Sequence, residues 1–130
     1  MLAATAMAIC LCGTSITAMA YGSPFDFSIT GTNKKDTFSV PKNDSEQNAY
    51  VTTSVTSGFA EGKDCFGFRV RRTSDGAAVT SYRTRKTAGT TVLSYNQGIT
   101  GKPQVSYFMR GQIDSTSETK VIHITGVWLP

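Results

Sequence analysis

Apolar and polar side chains alternate at short range along this chain. Phe25-Asp26-Phe27-Ser28-Ile29 and Phe66-Gly67-Phe68-Arg69-Val70-Arg71 place apolar residues at alternate positions, the pattern of an extended strand with one buried face. Stretches 50–56, 78–83, 90–95, 105–110 and 120–128 are rich in Val, Ile, Thr and aromatic residues, which fit a pleated, half-buried surface. Turn formers separate them: Gly31-Thr32-Asn33, Pro41-Lys42-Asn43-Asp44, Gly58 with Gly62, Ser74-Asp75-Gly76, Asn96-Gln97-Gly98 and Gly101-Lys102-Pro103. Glycine and asparagine accept the backbone angles of tight turns, and proline cannot donate inside a ladder. Asp75-Gly76 marks a hairpin joining 65–72 to 78–83, with the parity of its register left open. No helical period and no internal repeat interrupts this order.

The pattern predicts an all-β protein, a small antiparallel β-sandwich of about seven or eight strands, with a closed barrel as the alternative. The expected core takes Phe27, Ile29, Phe38, Val51, Val55, Phe66, Phe68, Val70, Val79, Leu93, Tyr95, Tyr107, Ile122, Ile124 and Trp128.

The amino-terminal segment changes this picture by removing itself from the fold. Residues 2–20 carry no charge, and their apolar part, 2–11, is too short to span a bilayer. Ala18-Met19-Ala20 supplies the small residues that signal peptidase reads. The expectation is a signal peptide over 1–20, cut between Ala20 and Tyr21, and a secreted or cell-surface domain over 21–130. All 13 Lys and Arg and all 9 Asp and Glu follow Ala20, so that domain holds the whole net charge of +4. Cys10 and Cys12 depart with the leader, leaving Cys65 without an intrachain partner. Packing alone then holds the domain, which suits a Gram-positive secretome better than a disulfide-stapled eukaryotic one. Whether Cys65 stays free or pairs between chains is open, as is the oligomeric state.

Catalytic and metal-binding patterns are thin. His123 is the single histidine, so any Ser-His-Asp or Cys-His nucleophile must use it. On its strand Ile122 and Ile124 point one way and His123 the other, with Val121, Thr125 and Val127. Cys65 has no motif around it, and its parity with Phe66 and Phe68 turns it away from the core. The carboxylates scatter through turns, whereas glycoside hydrolysis needs two facing across a cleft. Asp44-Ser45-Glu46 and Glu61-Gly62-Lys63-Asp64 fall short of a calcium loop. One Cys and one His cannot complete a structural zinc site, and Gly58 to Gly62 lacks the Lys-Ser/Thr of a phosphate loop. The expectation is no enzyme, no metal and no cofactor.

The basic residues do show a pattern. Arg69, Arg71 and Arg72 lie on one arm of the hairpin, and Arg83, Arg85 and Lys86 at the end of the other. Alternate positions share a face, so Arg69 and Arg71 project together from the surface opposite Phe68 and Val70. Together the six are a candidate basic strip for an anionic partner, a wall polymer or lipid headgroup, held by contacts that salt weakens. Ordinary solubilising charge is the alternative. Nucleic acid is not expected, because no aromatic platform interleaves with the charges. No stretch of about 20 apolar residues in 21–130 would form a transmembrane helix.

Phe25-Asp26-Phe27-Ser28-Ile29, Ala49-Tyr50-Val51-Thr52-Thr53, Phe68-Arg69-Val70 and Ile124-Thr125-Gly126-Val127-Trp128 resemble a family of small exported Gram-positive proteins, domain of unknown function 2712. The resemblance spans nearly all of the chain after the leader: an opening Phe-x-Phe-Ser strand, a central Phe-rich strand and a closing strand with Gly and Trp. The ending Trp128-Leu129-Pro130 departs from that family's acidic tail. More distantly, the size, leader and aromatic-rich composition are similar to those of lactococcin 972-like bacteriocins, which implies killing or signalling among competing bacteria. Neither resemblance brings catalytic residues. The function expected is a secreted, non-enzymatic, bacteriocin-like effector acting on the cell envelope; the alternative is a surface module that holds an anionic wall polymer on its basic face.

Overall fold

The computed structural model describes residues 22–31, 33–57, 65–99, 101–114 and 121–130, without the side chains of 55–57. The expected leader, its cleavage positions Ala18, Ala20 and Tyr21, and the turn residues Gly58 and Gly62 lie outside the described residues, as does the side chain of Val55.

Among the described residues nine strands form in chain order: β1 Ser23–Thr30, β2 Lys34–Asp36, β3 Val40–Pro41, β4 Asn48–Ser57, β5 Cys65–Arg72, β6 Arg83–Arg85, β7 Gly89–Ser94, β8 Ser106–Asp114 and β9 Val121–Leu129. They make two antiparallel sheets, one of four strands in the order β1-β9-β4-β7 and one of five in the order β2-β8-β5-β6, with β3 also on β8. This is the all-β sandwich that the alternation predicts. In β1, every second residue from Phe25 to Ile29 is buried and its neighbours are exposed. β8 alternates likewise, with Tyr107, Met109, Gly111 and Ile113 buried and the residues between them half-buried.

The two undersides meet in a core built from both sheets. Phe25 and Phe27 of β1 stack against Phe66 of β5, and Phe66 against Phe68, with ring centroids 5.0–6.3 Å apart. Aromatic pairs at such spacing add to the burial of their area. Trp128, Val51, Leu93, Ile122 and Ile124 complete the four-stranded side. Phe25, Ala49, Met109 and Ile113 join the core beyond the expected set.

Two expectations are corrected. Phe38 is 89% exposed rather than buried. Asp36 pairs with Arg110 and Val40 with Tyr107, so three residues, 37–39, oppose two on β8. This bulge reverses parity, sending Val40 against the core and leaving Phe38 at the sheet edge. The second correction concerns 78–83, which is not a continuous strand. After the hairpin the chain meets β5 at the Arg71–Ala78 bridge and again at Phe68–Arg83, so four residues oppose Arg69 and Val70. Val79 turns into the core, the Thr80 hydroxyl accepts the Val70 N–H at 3.0 Å, and Thr80 bridges to Tyr95 next to β7. The segment gives up sheet hydrogen bonds to fasten one sheet to the other.

A lysine closes one end of the sandwich. Lys42 is 1% exposed; its ammonium donates to the Pro130 carbonyl at 2.8 Å, lies 2.8 Å from an Asp44 carboxylate oxygen and sits 5.5 Å over the Tyr95 ring. A buried charge survives only when paired and hydrogen-bonded in this way. Burial pushes the Asp44 carboxyl up, but the Lys42 hydrogen bond, the Glu46 N–H and the Lys42 charge outweigh it and leave the carboxyl below its ordinary value.

Candidate anion-binding face

Directly opposite residues of an antiparallel pair share a face, and this rule assembles the outer surface of the five-stranded sheet. Arg69 of β5 lies opposite Arg110 of β8, and Arg71 opposite Phe108. Asp36 of β2 flanks Arg110 from the other side. One row therefore reads Asp36, Arg110, Arg69, and the next places Arg71 beside Phe108.

Each guanidinium is held differently. Arg110 grips Asp36 through two parallel bonds, Nε to Oδ1 and Nη2 to Oδ2, both 2.6 Å, and lies 5.6 Å over the Phe108 ring. That pairing raises its pKa. Arg69 lies 5.6 Å over the Tyr82 ring and has no hydrogen-bond acceptor among the described residues. Arg71 donates from Nη1 to the Gly76 carbonyl at 2.7 Å, while its buried Nε has no partner among the described residues. Burial lowers the pKa of Arg71, and the charges of Arg110 and Arg69 lower it further, against a smaller opposing pull from Asp36. Three guanidiniums thus gather on one face while Asp36 binds only Arg110, and Arg69 and Arg71 keep N–H donors without an acceptor among the described residues.

The platform beneath Arg69 depends on a glycine. Tyr82 lies over Gly67, where a Cβ would fall on the phenol oxygen. The hydroxyl donates to Asp114, 3.0 and 3.1 Å from its two oxygens, and burial followed by this carboxylate raises the Tyr82 pKa. Asp114 also accepts from Gln112 at 3.3 Å and lies 3.8 Å from the Cys65 sulfur. Burial, then the Asp114 charge, raises the Cys65 thiol above its ordinary value, so at neutral pH the sulfur stays protonated and a poor nucleophile.

Cys65 faces outward, as its parity predicts, and so does His123, but from different sheets. His123 is on β9, its Nε2 2.6 Å from the Asp26 carboxylate. The chain's one histidine and Cys65 therefore stand on opposite outer faces and cannot act as a nucleophile-base pair. Among the described residues no three His, Cys, Asp or Glu side chains gather as a metal site requires, and no helix is long and apolar enough to cross a membrane.

The six basic residues singled out by sequence do not form one strip. Arg69 and Arg71 share the face that alternation gives them. Arg72 turns to the hairpin, where Nε and Nη2 bind Asp75 at 3.0 and 2.6 Å. Arg83 and Arg85 lie opposite Phe68 and Phe66, whose side chains fill the core, so they leave the sheet from the side opposite Arg69 and Arg71. Arg85 reaches across the sandwich edge to the Thr87, Ala88 and Thr90 carbonyls and the Thr91 hydroxyl, at 2.8–3.2 Å. Gly89 makes room for it, since a Cβ there would collide with the guanidinium. Lys86 is exposed, and its charge acts on the Cys65 thiol. Arg110 and Asp36 belong to the face and were missed. Alternation along 105–110 marks Arg110 as outward, but only strand pairing places it beside Arg69.

Neither the protein-family models nor the curated proteins contain a match to this chain.

Proposed function

We propose that this protein is a non-enzymatic binding module of the bacterial cell surface that holds an anionic, phosphate-bearing envelope polymer on the outer face of its five-stranded sheet. The observation that carries the reading is the gathering of Arg69, Arg71 and Arg110 on one face beside Asp36, with the charge of Arg71 disfavoured by burial and by its two like-charged neighbours. An arriving phosphate relieves that repulsion and meets N–H donors of Arg69, set over the Tyr82 ring, and of Arg71, opposite Phe108. Guanidinium groups suit this ligand because their fork of donors matches phosphate oxygens.

The test is retention on immobilised wall teichoic acid across a salt series. The wild-type protein should bind at low ionic strength and elute as salt screens the contacts. The triple variant Arg69→Gln, Arg71→Gln, Arg110→Gln should lose at least about a hundredfold in affinity, from charge-assisted bonds of about 1.5–3 kcal/mol each, while keeping its circular dichroism spectrum. Retention equal to wild type in the folded triple variant ends the proposal. Growth inhibition of a related strain by the purified protein, lost in the same variant, would make the face the working surface of an effector, the role implied by the bacteriocin resemblance.

A further inference from the structure

Arg83, set apart from the arginine face, borders a pocket at the open edge of the sandwich between β6 and β7. The pocket has a volume of about 210 Å³ and is lined by Arg83, Ser81, Asn96 and Gln97 over Leu93 and Tyr95. At about 30 Å³ for each water it displaces, this space suits one small ligand rather than a polymer segment.

The turn beside it is tied down by backbone hydrogen bonds, while the Arg83 and Gln97 side chains are exposed. The Asn96 N–H donates to the Val79 carbonyl at 2.8 Å, and the Asn96 carbonyl accepts the Ile99 N–H at 2.9 Å, closing the turn that carries Gln97. The Ser81 hydroxyl reaches the Asn96 side-chain oxygen at 3.4 Å, and the Thr80–Tyr95 bridge ties the two walls together. Arg83 is exposed and has no acceptor among the described residues. Its position opposite Phe68 sends it toward the gap between the sheets.

The donor set specifies the ligand class. A single guanidinium, with no second cation lining the pocket among the described residues, matches one planar carboxylate through two parallel N–H···O bonds. Side-chain amides and a hydroxyl each both donate and accept; a bare anion uses only the donors, whereas a hydroxyl group uses both. We propose that this pocket binds a small hydroxylated monocarboxylate of the sugar-acid type, with Arg83 on the carboxylate and Ser81, Asn96 and Gln97 on the hydroxyls. The site is independent of the arginine face and does not need it to be functional.

The experiment is a titration of the isotopically labelled protein, followed by amide chemical shifts, with sodium D-glucuronate, sodium acetate and D-glucose at constant ionic strength. Glucuronate should shift the amides of residues 81–83 and 93–97 and saturate in the millimolar range expected for a ligand of this size in an open pocket. Acetate and glucose should each bind at least about tenfold more weakly, as each lacks half of the recognised chemistry. Arg83→Gln, an exposed and structurally mild change, should weaken glucuronate at least about tenfold, and Arg69→Gln should leave it unchanged. The proposal is overturned by the absence of saturable shifts, by glucose or acetate binding as well as glucuronate, by unaltered binding in Arg83→Gln, or by shifts that map to residues 69–71 and 110.

Discussion

On the four-stranded sheet the side chains turned to solvent include Ser28, Thr52, Thr90, Thr125 and Val127, and they look after one another: the Thr52 and Thr90 hydroxyls meet at 2.8 Å, and His123 meets Asp26. On the five-stranded sheet the corresponding surface gathers Arg69, Arg71 and Arg110 beside Asp36, and Arg69 lies over Tyr82 with no hydrogen-bond acceptor among the described residues. The undersides of both sheets are apolar and pack into the same core, so folding constrains them alike. The outer faces are released from that constraint. Their difference separates a surface that is complete in itself from one that a ligand would complete, and it is the reason to look for binding on only one side.

The comparison assumes that each face can change without unfolding the other, and Lys42 marks where that independence should fail. Lys42→Ala leaves the Pro130 carbonyl without its donor and a gap beside Tyr95, while Asp44 stays solvated. The expected loss is about 3 kcal/mol by urea denaturation, with both faces affected together. A loss below about 1 kcal/mol would mean that the end of the sandwich relaxes around the missing ammonium.

Gly67→Ala should come next, at about 1–3 kcal/mol, because the new methyl displaces Tyr82 and with it the platform of Arg69. Ser28→Ala, on the other face, should stay within about 0.5 kcal/mol. Thermal melts of the two variants check the contrast, and adding Tyr82→Ala to Gly67→Ala should recover part of the loss if the clash is the cause.

Asp36→Asn sharpens the comparison from the binding side. Removing the carboxylate costs a partly exposed ion pair worth at most about 1 kcal/mol, yet it frees Arg110 and should raise polyanion affinity by about fivefold at low salt. Unchanged affinity, measured by the same retention assay, would show that Arg110 does not contribute to the face.

The smallest effect concerns Asp75 at the hairpin tip. Hydrogen bonds from Arg72, then from the Ala77 N–H, hold its carboxyl at about 2, below the ordinary 3.8. The folded state therefore prefers the ionised form, so the stabilisation is present above pH 3.8 and disappears as pH falls from there through about 2. Asp75→Asn should flatten the stability profile in that window and lower stability above it by the same small amount, small because the pair is about half exposed and screened by solvent. An unaltered acid limb would assign the acid sensitivity to other carboxylates.

Much of this architecture is legible in the residues. Phe25-Asp26-Phe27-Ser28-Ile29 announces its buried face, and Asp75-Gly76 its turn. Phe38 misled because a bulge of one residue between Asp36 and Val40 leaves no mark in the pattern. The stretch 78–83 misled because its β-favouring residues are spent on core packing and on a hydrogen bond accepted by the Thr80 hydroxyl instead of on a ladder. The candidate face was half legible: Arg69 and Arg71 follow from alternation, but grouping Arg83 and Arg85 with them required a register that the sequence left open.

By itself the sequence determined that the chain is all-β, which side of its own strand each of Arg69, Arg71 and His123 occupies, and where most turns fall, because strand alternation and turn chemistry act over a few residues. Only the tertiary structure decided that Arg110 stands beside Arg69, that Arg83 and Arg85 leave the opposite side of their sheet, and that Cys65 and His123 face apart. Those relations join positions far apart in the chain, and they are fixed by strand pairing, by bulges that shift parity, and by the closing of two sheets over one core.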